Sequence, residues 1–137
     1  MTMKKLLLTV LLLCFSTGIM AEWIQVDKRD DKGGYTVFAD LQTLSKVGSE
    51  AKMWTLIDYV LEQEDTGVYF LSKEVRKKYE CRSKHVKELA YKLYSWNMGD
   101  GELIRSYSQP QEWVKVEPGS IEKTEWKIAC EHPALGG

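Results

Sequence analysis

The chain has 137 residues, of which 44% are hydrophobic and 28% charged, with nineteen Lys and Arg against twenty Asp and Glu. This length fits one domain. The near-even charge balance excludes the strongly basic character of a nucleic-acid-binding protein.

Met1–Lys5 is short and basic, Leu6–Phe15 is an unbroken run without charge, and Ser16–Ala21 is small and polar in parts. That is the layout of a secretory signal peptide. The apolar run is too short to span a bilayer as a stable helix. We expect residues 1–21 to be the signal, cut after Ala21, with a cut after Gly18 as the weaker alternative. Residues 22–137 are then the mature domain, with no transmembrane segment left in it. Cys14 invites a lipoprotein reading, but Leu13 stands where a small residue is normally needed. Removing Met1–Ala21 takes away Lys4 and Lys5 and no acid, so the mature net charge is about −3.

Trp23–Asp27 is a short first strand, and KRDDKGG at residues 28–34 is a charged turn. Tyr35–Asp40 alternates Tyr35, Val37 and Ala39 against Thr36 and Phe38, the period of a strand. Leu41, Leu44 and Val47 then repeat at helical spacing, which predicts one or two helical turns over residues 41–48, closed by Gly48. Lys52–Val60 is a strongly apolar third strand, followed by an acidic hairpin loop at residues 62–67.

Val68–Cys81 is a long fourth strand. Tyr69, Leu71, Val75, Tyr79 and Cys81 share one parity and Ser72, Glu74, Arg76, Lys78 and Glu80 the other. One face is expected wet and one packed, as in an antiparallel sheet. A polar turn, Arg82–His85, leads into a fifth strand from Val86. Leu89, Tyr91 and Leu93 lie on one of its faces and Ala90, Tyr94 and Trp96 on the other, which suggests a central strand. Asn97–Gly101 breaks the pattern with two glycines. The return strand is residues 102–108, ended by Pro110, which has no amide hydrogen to give a ladder. Residues 112–117 are irregular or a short extension carrying Trp113. Ser120 caps a final helix with Glu122 in its first turn. Ile121, Thr124 or Glu125, Ile128 and Ala129 form its apolar stripe, and Cys130 lies at its end.

Setting Cys14 aside leaves Cys81 and Cys130. Two cysteines in an oxidising compartment allow one bridge, which would staple the C-terminal helix to the sheet; two separate buried thiols are the alternative. The fold class is therefore α+β, an antiparallel sheet of about six strands with a C-terminal helix tied to it by a disulfide.

Chemistry-bearing patterns are sparse. His85 and His132, the only histidines, sit in polar, turn-like sequence and read as solvated. The acidic loop Glu62–Asp65 lacks the ligand spacing of a calcium site. No metal ligand set, cofactor or catalytic residue is assigned, and no Ser or His sits in a nucleophile motif. A basic run from Lys73 to Lys84 puts Arg76 and Lys78 on one strand face, a candidate patch for an anionic partner. Most of the five tryptophans are expected in the core, and any left exposed, with Trp96 and Trp113 the candidates, would be binding anchors.

The order of segments resembles the surface-adhesin protein E-like domain of bacterial envelope proteins. The matching stretches are the AEW start after the signal, YTVFADLQTLSKVG, KMWTLIDY, the strand ending YEC, YSWNMGDGELIRSYS leading to EWVKVEPGS, and the last helix ending in Cys130. They cover nearly all of the mature chain in order. The resemblance implies a sheet of about six antiparallel strands with a disulfide-bonded C-terminal helix. It also implies an adhesin of the envelope, without placing a binding segment on particular residues.

The resulting expectation is an exported, non-enzymatic binding or adhesion module in the periplasm or on the surface of a Gram-negative bacterium. Its partner would be a host matrix or envelope protein and not a nucleic acid. An exposed sheet edge could pair with a second copy to give a homodimer. The alternatives are a periplasmic structural or assembly factor and a small-ligand carrier, haem included.

Overall fold

A computed structural model describes residues 22–133; the expected signal segment and the last four residues lie outside that range. The strands are β1 (Trp23–Arg29), β2 (Tyr35–Val47), β3 (Glu50–Asp65), β4 (Val68–Glu80), β5 (His85–Tyr94), β6 (Leu103–Tyr107) and the short β7 (Val114–Lys115). One helix follows, α1 (Ile121–Glu131). Six strands form an antiparallel meander in sequence order, and β7 pairs with β5 beside β6. This is the expected α+β architecture.

Tight turns set the register. At the β3–β4 hairpin only Thr66 and Gly67 lie outside the ladder, with φ of 48° and 82°. Positive φ at both central residues is the primed turn whose twist matches the flanking strands. The acidic loop expected over residues 62–67 is therefore mostly strand, because the turn needs only two residues.

The expected helical turns at residues 41–48 are instead the second half of β2. Asp40 pairs with Trp54 and Ser45 with Lys52, so β2 spends three extra residues against Met53. Local side chains hold this bulge. The Asp40 carboxylate accepts the Gln42 amide at 3.0 Å, and the Thr43 hydroxyl donates to the Asp40 carbonyl at 2.7 Å while accepting the Trp54 amide at 3.0 Å. Asp and Thr compete well for backbone groups in this way, and a bulge brings Leu41 and Leu44 near one another at a spacing that imitates a helix. Val47, the third member of the stripe, is 81% exposed.

The wet and packed parity expected for β4 holds at Val75 and Tyr79, both buried, and fails nearer its start. There Phe70 and Ser72 are buried and Tyr69 is 58% exposed. A second bulge, in β3 between Asp58 and Gln63, shifts the register at that end. The loop at Asn97–Gly99 then covers Ser72, whose hydroxyl accepts the Gly99 amide at 2.9 Å.

The larger core lies between α1 and the sheet: Ala39, Leu44, Ala51, Met53, Tyr79, Val86, Val116, Trp126 and Ala129. Each fully buried Met or Val there contributes about 1.5–3 kcal/mol relative to exposure. A second cluster, Tyr59, Phe70 and Leu93, fills the other end of the sheet. An eleven-residue helix is marginal alone, so α1 depends on its ties. Cys81 and Cys130 are bonded, with Cα atoms 5.6 Å apart. Ser120 caps the N-terminus by accepting the Lys123 amide, and Lys46 donates to the Cys130 carbonyl at 3.0 Å.

The bridge closes a loop of 49 residues, worth up to about 4 kcal/mol in the chain-entropy account. Replacing both cysteines with serine is expected to lower unfolding stability by about 2–4 kcal/mol, read from urea denaturation of oxidised wild type and variant. Superimposable curves would mean that packing alone seats the helix.

Candidate binding face

The two faces of β4 do different work. Lys77 points to α1, where its ammonium is 2.9 and 3.0 Å from the two carboxylate oxygens of Glu125. Glu125 is fully buried, and Tyr79 donates its hydroxyl to the same carboxylate at 3.0 Å. Trp126, next to it, donates its indole N–H to the Glu80 carbonyl at 2.9 Å. Of the two candidates for the helical stripe, Thr124 or Glu125, the buried one is the charged one, because β4 brings it a cation and a phenol.

The environment shifts these groups. Burial, then the Glu125 charge and hydrogen bond, pushes the Tyr79 phenol well above its ordinary 10.0. Burial alone would lower the Lys77 pKa, but the attraction and hydrogen bond of Glu125 outweigh it and leave it raised from 10.5. This is an internal anchor for the helix, with Glu125 fully buried and Lys77 mostly so.

Arg76 and Lys78 point the other way, to the face that α1 leaves open. Register places their neighbours. Lys78 lies opposite Lys52 on β3 and Lys87 on β5, which makes one cross-strand row of three lysines. The next row is Trp54, Arg76 and Ala90. Lys87 sits over the Trp113 ring at 4.9 Å and Lys92 over the Trp54 ring at 5.0 Å. Lys78 is joined by Glu50 at 3.2 Å, whereas among the described residues Lys52, Arg76, Lys87 and Lys92 have no carboxylate within 4.0 Å. Arg76 is exposed and Trp113 is 39% exposed.

Of the four candidate contacts, the fold brings Arg76, Lys78 and Trp113 into one neighbourhood and leaves Trp96 apart. Trp96 is 66% exposed and begins the loop at the far end of the same sheet. Ser72, paired with Tyr94 there, is about 20 Å of strand from Lys78. The Asn97–Gly101 loop is more than a turn. Asn97 donates to the Asp58 carboxylate at 3.0 Å and to the Tyr59 carbonyl at 2.8 Å, and the Met98 amide donates to Asp58 at 2.8 Å. Gly101, at φ 81°, leaves no room for a Cβ, which would stand 2.9 Å from Cγ of Trp96. Below the loop, burial raises the Glu74 pKa from 4.5, against the lowering effect of its hydrogen bond from Tyr94.

Lys52, Lys87, Lys92 and Trp54 were not singled out from the sequence. No single motif contains all four, since they come from two strands on either side of β4. His85 and His132 line separate shallow depressions, His85 with Glu50, Glu80 and Trp113 and His132 with Ile24 and Ile128. Among the described residues no three His, Cys, Asp or Glu side chains converge as metal ligands. No described helix is long and apolar enough to cross a membrane.

The model of the surface-adhesin protein E family matches residues 23–131, nearly the whole described range. This chain belongs to that family. Its fold is similar to that of the selenomethionine form of Haemophilus influenzae protein E, with a TM-score of 0.61 at 12% identity. That similarity covers 88% of this chain and 95% of the other. A second crystal form of Haemophilus influenzae protein E gives 0.57 at 14% identity, over 84% and 91% of the two chains. No curated protein sequence matches significantly. At such low identity the structural likeness speaks for the shared fold alone.

Two outcomes follow for the helix anchor. Lys77→Met leaves the Glu125 charge buried without its cation and is expected to cost about 3–5 kcal/mol, whereas Lys77→Met with Glu125→Leu recovers most of the loss. A denaturant double-mutant cycle measures both. Tyr79 and Lys77 both hold their protons to higher pH in the fold than in the unfolded chain. Their contribution is therefore complete below the ordinary values of 10.0 and 10.5 and is lost as pH rises through the raised ones. Thermal melts above pH 10 should show a steeper fall in wild type than in Tyr79→Phe.

Proposed function

We propose that this chain is an exported, non-enzymatic adhesion module of the Gram-negative envelope that engages a host matrix or envelope protein. Its membership of the surface-adhesin protein E family over residues 23–131 carries this reading. The signal-like layout of Met1–Ala21 supports export. An open sheet face with a lysine stacked on the exposed Trp113 ring supports binding, because such side chains dominate recognition surfaces. Arg76, Lys78 and Trp113 are the proposed contacts on that face, and Trp96 is a separate one at the loop end.

Protease treatment of intact cells, read with antibody against the domain, tests the location. Clipping of the domain on intact cells is expected. Protection that lasts until the outer membrane is opened would sink surface adhesion and favour a periplasmic structural or assembly role.

A further inference from the structure

The lysine row on the open face has a cost that folding does not explain. Like charges directly opposite one another across a ladder destabilise it. Lys52, Lys78 and Lys87 stand in register on three neighbouring strands, with Arg76 in the next row, and Glu50 relieves only Lys78. We propose that this row is the binding site for a linear sulfated polysaccharide of the glycosaminoglycan type. The inference rests on reading the chain as an exported binding module and names a ligand class for its open face.

Three features select that occupant. Two strand spacings separate Lys52 from Lys87, so three ammonium groups are presented over about 10 Å. That density asks for more than one anion per sugar unit. Second, acids bracket the row. Glu50 and Glu80 occupy the row on one side, beside His85, and Glu74, paired with Lys92, lies beyond the Arg76 row on the other. The positive potential is therefore densest along the Lys52–Lys78–Lys87 row across the strands, with Arg76 and Lys92 behind it. It matches a linear polyanion and mismatches the broad plane of an anionic membrane. Third, Trp113 lies against the end of the stripe under Lys87. The indole's face away from Lys87 is the one for the apolar side of a sugar ring, while the lysine takes the anion.

Titration of the purified, disulfide-intact protein with a heparin oligosaccharide, at several salt concentrations, tests this. The protein is expected to bind with an affinity that falls as salt rises. Lys52→Gln, Lys78→Gln and Lys87→Gln together should weaken binding at least about tenfold and flatten the salt dependence. Trp113→Ala should weaken it severalfold. Lys123→Gln with Lys127→Gln, on the helix side, should leave it unchanged. The triple variant should melt no lower than wild type, since it removes like-charge opposition.

Equal binding by the triple variant overturns the proposal, as does an equal loss in the helix-side control. Equal binding of hyaluronan, which carries carboxylates without sulfates, overturns the sulfate preference. Equal binding of phosphatidylglycerol vesicles or duplex DNA overturns the polysaccharide assignment. A protein clipped on intact cells that ignores heparin refutes this inference and leaves the surface reading standing. Heparin binding by a protein protected inside the cell does the reverse.

Discussion

The bidentate contact between Lys77 and Glu125, with Tyr79 on the same carboxylate, decides which side of the sheet the helix covers. Two charges out of water are tolerated only when each satisfies the other, so α1 has one seat and one rotation on β4. The disulfide then fixes its far end. Cys81 leaves β4 immediately after the strand, and Cys130 is in the last turn of α1. Trp126 fills the space between these two ties, its indole on the Glu80 carbonyl and its ring beneath Lys123 at 4.6 Å.

A helix seated on one side leaves the other side of β3, β4 and β5 open to solvent. Alternation along β4 then sorts its basic run. Lys77 is spent on the interior, Lys73 lies over Tyr91 at 4.8 Å, and Arg76 and Lys78 go outward. Bulges adjust the sorting. In β5 the register shifts at Leu89, so Lys87 and Lys92 share the open face although their numbers differ in parity. Without that extra residue Lys92 would face the helix side. Small departures from a regular ladder thus decide how many cations reach one surface.

The loop from Asn97 to Gly101 protects the opposite end. It lies over β3 and β4 through Asp58 and Ser72, and Gly101 is needed where Trp96 crosses it. The open face is therefore bounded by a packed loop at one end and by β7 with Trp113 at the other. Only the middle and the β7 end carry the clustered cations.

The amino-acid sequence by itself determined the succession of strands along the chain, the capped helix and that Cys81 and Cys130 could form one bridge. Those features depend on local alternation, on glycine at turns and on a count of two cysteines, and all of these are readable along one dimension. It misled at residues 41–48, where a bulge held by Asp40 and Thr43 brings apolar residues together at helical spacing, and near the start of β4, where the Asn97–Gly99 loop buries Ser72 on the face opposite Val75. Only the tertiary structure decided that Glu125 is buried, that Trp96 and Trp113 stand at different ends, and that Lys52, Lys78 and Lys87 form one row. Such facts depend on which residues of distant segments lie opposite one another. Register sets that, and register comes from bulges and helix seating that no single strand encodes.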